Sequence, residues 1–276
     1  MRLGISAILT ESGAKDWANA HAELGCEAVV LPFDHTAGEN MAADYAAAAR
    51  DADLVIAEVG AWCNPVSPGS AIREHALARC KAQLRLADSI GARCCVNIAG
   101  SAGPRWDGAY RENYSREHWD ATVSSVRDII DSVKPTRTYY TLEPMPWMIP
   151  RDPDEYLRLI EAVDRERFAV HMDLANWITS AEKLFDSGEY ARECFDKLGR
   201  YVRSCHLKDV ALAPEFTLRL LESRIGDGSM DLLEYARRAD MADPDMPMLL
   251  EHLPNEDIYK ADLLKAQTMF RGIGSR

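Results

Sequence analysis

The sequence predicts an α/β domain closed as a (β/α)8, or TIM, barrel, on three observations. Short apolar runs with strand character alternate with longer amphipathic stretches, a pattern that gives parallel strands joined by helical crossovers. Eight such runs are present, their starts spaced roughly 25 to 45 residues apart. The chain has 276 residues, the size that eight βα units need. A doubly wound open sheet is the rival, but no GxGxxG follows the first strand, so its nucleotide-binding versions find no support. No linker or low-complexity segment interrupts the alternation, and a single domain over residues 1–276 is expected.

The first strand is read in LGISAIL (3–9) and the first helix in GAKDWANAHAELG (13–25). That helix carries Trp17, Ala20 and Leu24 on one side and stops at Gly25. EAVVLPF (27–33) and DLVIAEVG (53–60) are the second and third strands, with no helix assigned between them. IREHALARCKAQLRLADSIG (72–91) is the clearest helix, with Ala76, Cys80, Leu84 and Ala87 on one stripe. The fourth strand is ARCCVNIA (92–99), followed by a helix in HWDATVSSVRDIIDSV (118–133). TYYTLEP (138–144) and FAVHMDL (168–174) are strands five and six, flanking the helix PDEYLRLIEAVD (153–164). AEKLFDSGEYARECFDKLG (181–199) makes two helical pieces broken near Gly188. VRSCHLKD (202–209) and MPMLLEHL (246–253) complete the strands, with helices in SMDLLEYARRAD (229–240) and YKADLLKAQTMFRG (259–272). The Gly/Pro clusters at 64–69 and 100–108 read as long loops.

Composition narrows the function classes. At 47% hydrophobic and 28% charged, the chain is an ordinary globular protein. Its seven cysteines (26, 63, 80, 94, 95, 194, 205) are odd in number and lack CxxC spacing, the usage of a reducing cytosol. MRLGISAILT lacks the long apolar region and cleavage site of a signal peptide. No apolar run approaches the roughly 18 residues needed to cross a bilayer, so a cytoplasmic protein without a membrane partner is expected. The net charge of −12 argues against nucleic acid, whose backbone needs a basic face.

Catalytic groups of such a barrel stand where strands finish, at its C-terminal face. Strand five ends TLEP and offers Glu143. Strand six offers His171 and Asp173, two apart and therefore on one side. Strand seven offers Ser204, His206 and Lys208 at the same period, and strand eight offers Glu251. Three carboxylates drawn together repel strongly at low dielectric, and a divalent cation relieves that cost. Two Glu, one Asp and one His form a hard, oxygen-rich set suited to Mn²⁺, Mg²⁺ or Co²⁺. Four separate ion pairs with barrel-top Lys and Arg are the alternative.

TLEP, HMDLAN, CHLKD, RIGDGSMD and LLEHL, in this order, resemble the xylose isomerase-like TIM barrels, the sugar phosphate isomerase/epimerase group. The likeness covers nearly the whole chain, including EVGAWCNP (58–65), and it rests on the combination of motifs. The resemblance implies a divalent metal held by Glu143, Asp173, His206 and Glu251; Mn²⁺ is expected first, with Mg²⁺, Co²⁺ or Zn²⁺ as alternatives. It further implies that Glu143 and Glu251 transfer protons on opposite faces of the substrate, and that Arg224 reaches substrate oxygens. The chain departs from the family's ketose epimerases after strand five, where Met145, Pro146, Trp147 and Met148 replace a run that grips sugar hydroxyls. Asn176 stands where epimerases often carry histidine. Trp62, Trp106, Trp147 and Trp177 fall on expected top-face loops and suggest an apolar pocket mouth, with loop packing or a subunit interface as the alternative.

Other residues carry weaker expectations. His171 is either an acid or base beside the metal or a hydrogen-bonded core histidine. Lys208 either holds a carbonyl oxygen or enediolate, or pairs with a carboxylate such as Asp209. His252 alternates away from Glu251 and reads as structural, while AGSAG (99–103) reads as a mobile lid.

The leading functional expectation is a metal-dependent isomerase or epimerase of a sugar or sugar-like polyol, working by proton transfer through an enediolate. The second is a lyase that expels an aglycone from an oxo-sugar glycoside, like the C-glycoside deglycosidases, with a separate partner subunit. A DNA-repair endonuclease of the AP-endonuclease type is third, because the histidines it needs after strands two and three are incomplete in LPFDH and GAWCN. A non-catalytic sugar-binding subunit is fourth. The expected partners are a small carbohydrate substrate and further copies of the chain.

Overall fold

The computed structural model describes residues 1–7, 9 and 12–273. Ile8, within the first expected strand, lies outside the described residues. Eight parallel strands close a barrel: β1 (Arg2–Ile5), β2 (Ala28–Val30), β3 (Val55–Gly60), β4 (Cys94–Asn97), β5 (Tyr139–Leu142), β6 (Phe168–Asp173), β7 (Val202–Leu207) and β10 (Pro247–Leu250). β1 meets β2 on one side and β10 on the other, which completes the ring and confirms the predicted fold class.

Helices cross over between successive strands: α1 (Ala14–Glu23), α2 (Glu39–Asp51), α3 (Ser70–Ile90), α4 (Arg116–Val133), α5 (Pro153–Val163), α6 (Ala181–Phe185), α7 (Ser187–Leu198), α8 (Leu232–Ala242) and α9 (Glu256–Met269). Local chemistry sets many of the starts. Ser115, Asp152, Ser180, Asp231 and Asn255 each accept a backbone N–H in the first turn of the helix they precede. The apolar stripe of α3 is buried as read, with Ala76, Cys80, Leu84 and Ala87 against the barrel wall.

Three features differ from the sequence reading. α2 fills the gap between the second and third strands, where no helix was assigned. The break in 181–199 falls at Asp186, two residues before the expected Gly188, which lies inside α7. VRSCHLKD is not one strand: β7 ends at Leu207, and Asp209 opens a separate antiparallel pair, β8 (Asp209–Leu212) with β9 (Leu220–Ser223). That hairpin stands outside the barrel sheet and overhangs its C-terminal end.

Candidate metal centre

Strand pairing brings the polar strand ends together. β6 and β7 pair with His171 opposite Ser204 and Asp173 opposite His206, after a bulge between Val170 and His171. Because side chains alternate along a strand, both members of each pair face the barrel interior. Glu143 follows β5, and its backbone N–H donates to Asn97 O at 2.7 Å, which continues the ladder past the strand end. Glu251 follows β10, next to β7 in the ring. Glu143, Asp173 and His206 are at most 5% exposed and the Glu251 side chain 15%, so this is an interior cluster rather than a solvated rim.

The donor atoms converge on one point. His206 Nδ1 lies 3.5 Å from Glu143 Oε1, 3.5 Å from Asp173 Oδ2 and 3.2 Å from Glu251 Oε2. Ligands held about 2.1 Å from a single ion stand roughly 3.0 to 3.4 Å apart, so this spacing fits a divalent cation. His206 Nδ1 has no hydrogen-bond partner among the described residues, although it is buried. A buried polar atom without a hydrogen bond is costly unless something else engages it. The donor set, one imidazole and three carboxylates, matches hard or borderline divalent ions.

The surrounding charges explain how the acids coexist. Lys208 Nζ lies 2.7 Å from Asp173 Oδ2, 2.8 Å from Glu251 Oε2 and 3.7 Å from Glu143 Oε1, while Asp209 turns away from it. Burial pushes the Glu143 carboxyl up to about 7, and His206 and Lys208 offset only part of that. Burial acts the same way on Asp173, but the adjoining Lys208 ammonium and His206 hold it well below the usual carboxylate range. For His206, burial favours the neutral ring, yet Glu251, Glu58 and Glu143 together raise it well above an ordinary histidine. Asn176 donates from Nδ2 to Glu143 Oε1 at 2.9 Å and to Asp173 Oδ2 at 3.1 Å, clamping two of the acids in place.

The sequence pattern of the Xylose isomerase-like TIM barrel family matches residues 18–268. The chain belongs to that family. Solved structures with the same fold include D-psicose 3-epimerase with D-tagatose from Clostridium cellulolyticum, at TM-score 0.72 and 16% identity, covering all of both chains. A xylose isomerase-like TIM barrel protein from Mycobacterium smegmatis in complex with magnesium superposes at 0.66 with 16% identity over 96% of this chain and 90% of its own. Endonuclease IV from Thermus thermophilus superposes at 0.72 with 14% identity over 98% of each chain. At such identities the likeness establishes the fold alone. No curated protein sequence matches the chain significantly.

In this xylose isomerase-like barrel a cavity of about 750 Å³ opens above Glu143 and Glu251. Its walls are largely apolar: Trp62, Trp106, Trp147, Met145, Leu220 and Leu221. Trp62 sits in the left-handed region at φ 38°, and its indole lies against Gly60, where an added Cβ would come within 1.9 Å of Nε1. Trp147 is braced by its Nε1, which donates to Asp107 O at 2.8 Å. Trp177 does not join them. It is fully buried, donates to Pro150 O and packs edge-on against Tyr156, so the expectation of a mouth tryptophan fails there for want of room.

The remaining expected residues divide. Asn176 lines the cavity, but its amide is spent on the two acids. Lys208 is buried beneath the cavity, among those acids. Arg224 stands apart, donating to Asp262 Oδ1 on α9 from Nε at 3.0 Å, and it does not line the cavity. His252, read as structural, instead lines the cavity with Nδ1 3.0 Å from Glu222 and Nε2 3.4 Å from Glu251. A left-handed backbone at His252, φ 60°, breaks the strand alternation on which that reading relied. His171 faces inward at 0% exposure, its Nδ1 3.3 Å from Glu58 Oε2. Glu58 itself was missed: it is 4% exposed on β3, and its only signal was a lone acid inside the apolar run VIAEVG. Among the described residues no helix is long and apolar enough to cross a membrane.

Proposed function

We propose that the chain is a divalent-metal-dependent isomerase or epimerase acting on a sugar or sugar-like polyol. The observation that carries this reading is the convergence of Glu143, Asp173, His206 Nδ1 and Glu251 at the floor of a cavity, with Nδ1 left unpaired among three carboxylates. An ion held by those residues would supply Lewis acidity toward adjacent carbonyl and hydroxyl oxygens of the substrate. The relatives that act on sugars, D-psicose 3-epimerase among them, support the substrate class.

The chain's own residues then do the following. Glu143 and Glu251 stand three places apart around the ring of strands, so they approach a bound substrate from different sides. One takes the proton beside the carbonyl to give an enediolate, and the other returns a proton at the same or the neighbouring carbon. Lys208 keeps its charge beside these carboxylates and stabilises the negative oxygen that forms. Asn176 holds Glu143 and Asp173 in position, and Trp62 and Trp147 flank the space in which the substrate ring lies. Manganese is the ion we favour, with Mg²⁺, Co²⁺ or Zn²⁺ as alternatives, in a cytoplasmic homo-oligomer. The seven cysteines are all free thiols, which supports a reducing compartment.

One observation favours a second reading on the same site. The apolar, tryptophan-lined cavity of about 750 Å³ exceeds what a lone monosaccharide fills and is in the range that takes drug-sized ligands. A lyase that removes the proton beside an oxo-sugar carbonyl and expels an aromatic aglycone would use that space. The endonuclease reading draws only on a fold likeness and runs against the net charge of −12.

The test is turnover of ketoses, inositol-type ketones and oxo-glycosides by manganese-loaded protein in deuterated water, followed by NMR. Deuterium entering beside the carbonyl without loss of an aglycone supports the isomerase, and release of the aglycone supports the lyase. Full turnover after exhaustive chelation removes the metal from the reading.

A further inference from the structure

Glu58 sits inside the barrel on β3, across from His206 on β7, and neither of its flanking strands offers it a cation. β3 pairs with β2 and β4, where Val30 and Cys94 lie opposite Glu58. A buried carboxylate without partners would be very costly, so what it touches across the barrel is informative. Its Oε1 lies 3.3 Å from His206 Nε2. Its Oε2 accepts from Ser204 Oγ at 3.1 Å and stands 3.3 Å from His171 Nδ1.

An ionised carboxylate only accepts hydrogen bonds, and an imidazole that ligates a metal has given up one of its two protons, which leaves one N–H and one lone pair. Against Glu58, the ring nitrogen of His206 that carries the proton is therefore Nε2, an assignment made from the bonding network. The lone pair then falls on Nδ1, the atom that faces Glu143, Asp173 and Glu251 and has no hydrogen bond. His171 stands edge-on to the His206 ring with centroids 4.1 Å apart, and Ser204 links His171 Nδ1, at 3.0 Å, to the Glu58 carboxylate.

We infer that Glu58 is a positioning residue for the metal: it fixes His206 in the Nε2–H tautomer and holds the ring so that Nδ1 is available as a ligand. This rests on the metal reading above. Glu58 touches neither the expected ion nor the substrate, and acts only through His206. A carboxylate behind a ligating imidazole also makes the ligand nitrogen more basic, and losing one typically costs about 10- to 100-fold in metal affinity.

The experiment measures Mn²⁺ dissociation constants, from the EPR signal of free Mn²⁺, for the full-length wild type, Glu58→Gln and Ser204→Ala. Glu58→Gln keeps the shape and an acceptor oxygen while losing the charge, and should weaken Mn²⁺ binding about 10-fold or more with unchanged circular dichroism. Ser204→Ala keeps the carboxylate and should stay within about threefold, which separates the Glu58–His206 bond from general packing. In protein loaded with diamagnetic Mg²⁺, the ¹⁵N spectrum of labelled histidine should show one ring in the Nε2–H form in wild type. Equal Mn²⁺ affinity in Glu58→Gln, an equal loss in Ser204→Ala, or a ligating histidine protonated on Nδ1 overturns the inference and leaves the metal reading intact. Binding of two Mn²⁺ per chain, reduced to one in Glu58→Gln, would make Glu58 a ligand and also overturns it. A wild type that binds no divalent ion takes down both readings together.

Discussion

Asp209 is the best place to perturb the hairpin that overhangs the cavity, because one buried carboxylate gathers four backbone donors. Its Oδ1 accepts from Val210 N at 2.8 Å and Met230 N at 3.2 Å, and its Oδ2 from Gly226 N at 2.9 Å and Gly228 N at 3.0 Å. Gly228 approaches so closely that an added Cβ would come within 2.2 Å of Oδ1. Asp209→Asn keeps one acceptor oxygen and turns an amide NH₂ toward the other two donors. Two charge-assisted hydrogen bonds are lost, each about 1.5 to 3 kcal/mol, so the cost is roughly 3 to 6 kcal/mol. That is a large share of a typical folding stability of about 5 to 15 kcal/mol. For a chain of this size the melting temperature should fall on the order of 10 °C. Differential scanning calorimetry measures the fall, and hydrogen exchange should show the Gly226 and Gly228 amides losing protection first. Leu220, Leu221 and Glu222, which the hairpin carries to the cavity wall, would loosen with them. A melting temperature within about 2 °C of wild type would refute the assignment of Asp209 as the anchor of this turn.

Glu143→Gln and Glu251→Gln each keep the size and one oxygen of the original side chain, and should retain Mn²⁺ while losing turnover on the order of 10²-fold or more. Normal turnover in both, measured on the substrate identified from the panel, would mean that the bases lie elsewhere. Asp173→Ala and His206→Ala remove ligands outright and should leave substoichiometric metal by elemental analysis after purification in manganese. Asp88 offers a pH test well away from the site. Partial burial would raise its carboxyl, but backbone N–H donors of Arg137, Thr138 and Thr136 outweigh that and lower it. Because the folded value lies below the unfolded one, its contribution is complete at neutral pH and is lost as pH falls through the folded value. The stability gap between wild type and Asp88→Asn in urea melts should therefore be widest at pH 7 and close toward pH 3; a gap that persists or widens in acid contradicts the sign.

The strands were legible because their apolar runs are short, β-rich and bounded by turn residues, as YYTL before Glu143-Pro144 illustrates. The convergence of Glu143, Asp173, His206 and Glu251 was legible because barrel strands all end at one face, so a carboxylate at a strand end is a statement about position. α2 escaped because its apolar residues are mostly alanines, which blur the contrast between faces, and only Ala42, Tyr45 and Ala49 are buried. Helix propensity, highest for alanine, was the signal available there. Trp177 was assigned from loop position and Arg224 from the family resemblance, and neither says whether a side chain turns inward to Tyr156 or back to Asp262. Glu58 was hidden because its partners His171, Ser204 and His206 lie more than a hundred residues away in sequence, and meet it only when the barrel closes.

Lys208 places a permanent ammonium among acids that would otherwise repel one another. The barrel therefore carries its own internal counter-charge and can finish folding before any ion arrives. In small domains whose structure is built around a metal, supply of the metal and survival of the fold are one event. On the proposed metal reading the two are separable here, so chelation should empty the centre and leave a folded, refillable protein. A site filled after folding takes its ion from whatever pool surrounds it, and the identity of that ion becomes a property of the cell's metal economy as well as of this sequence.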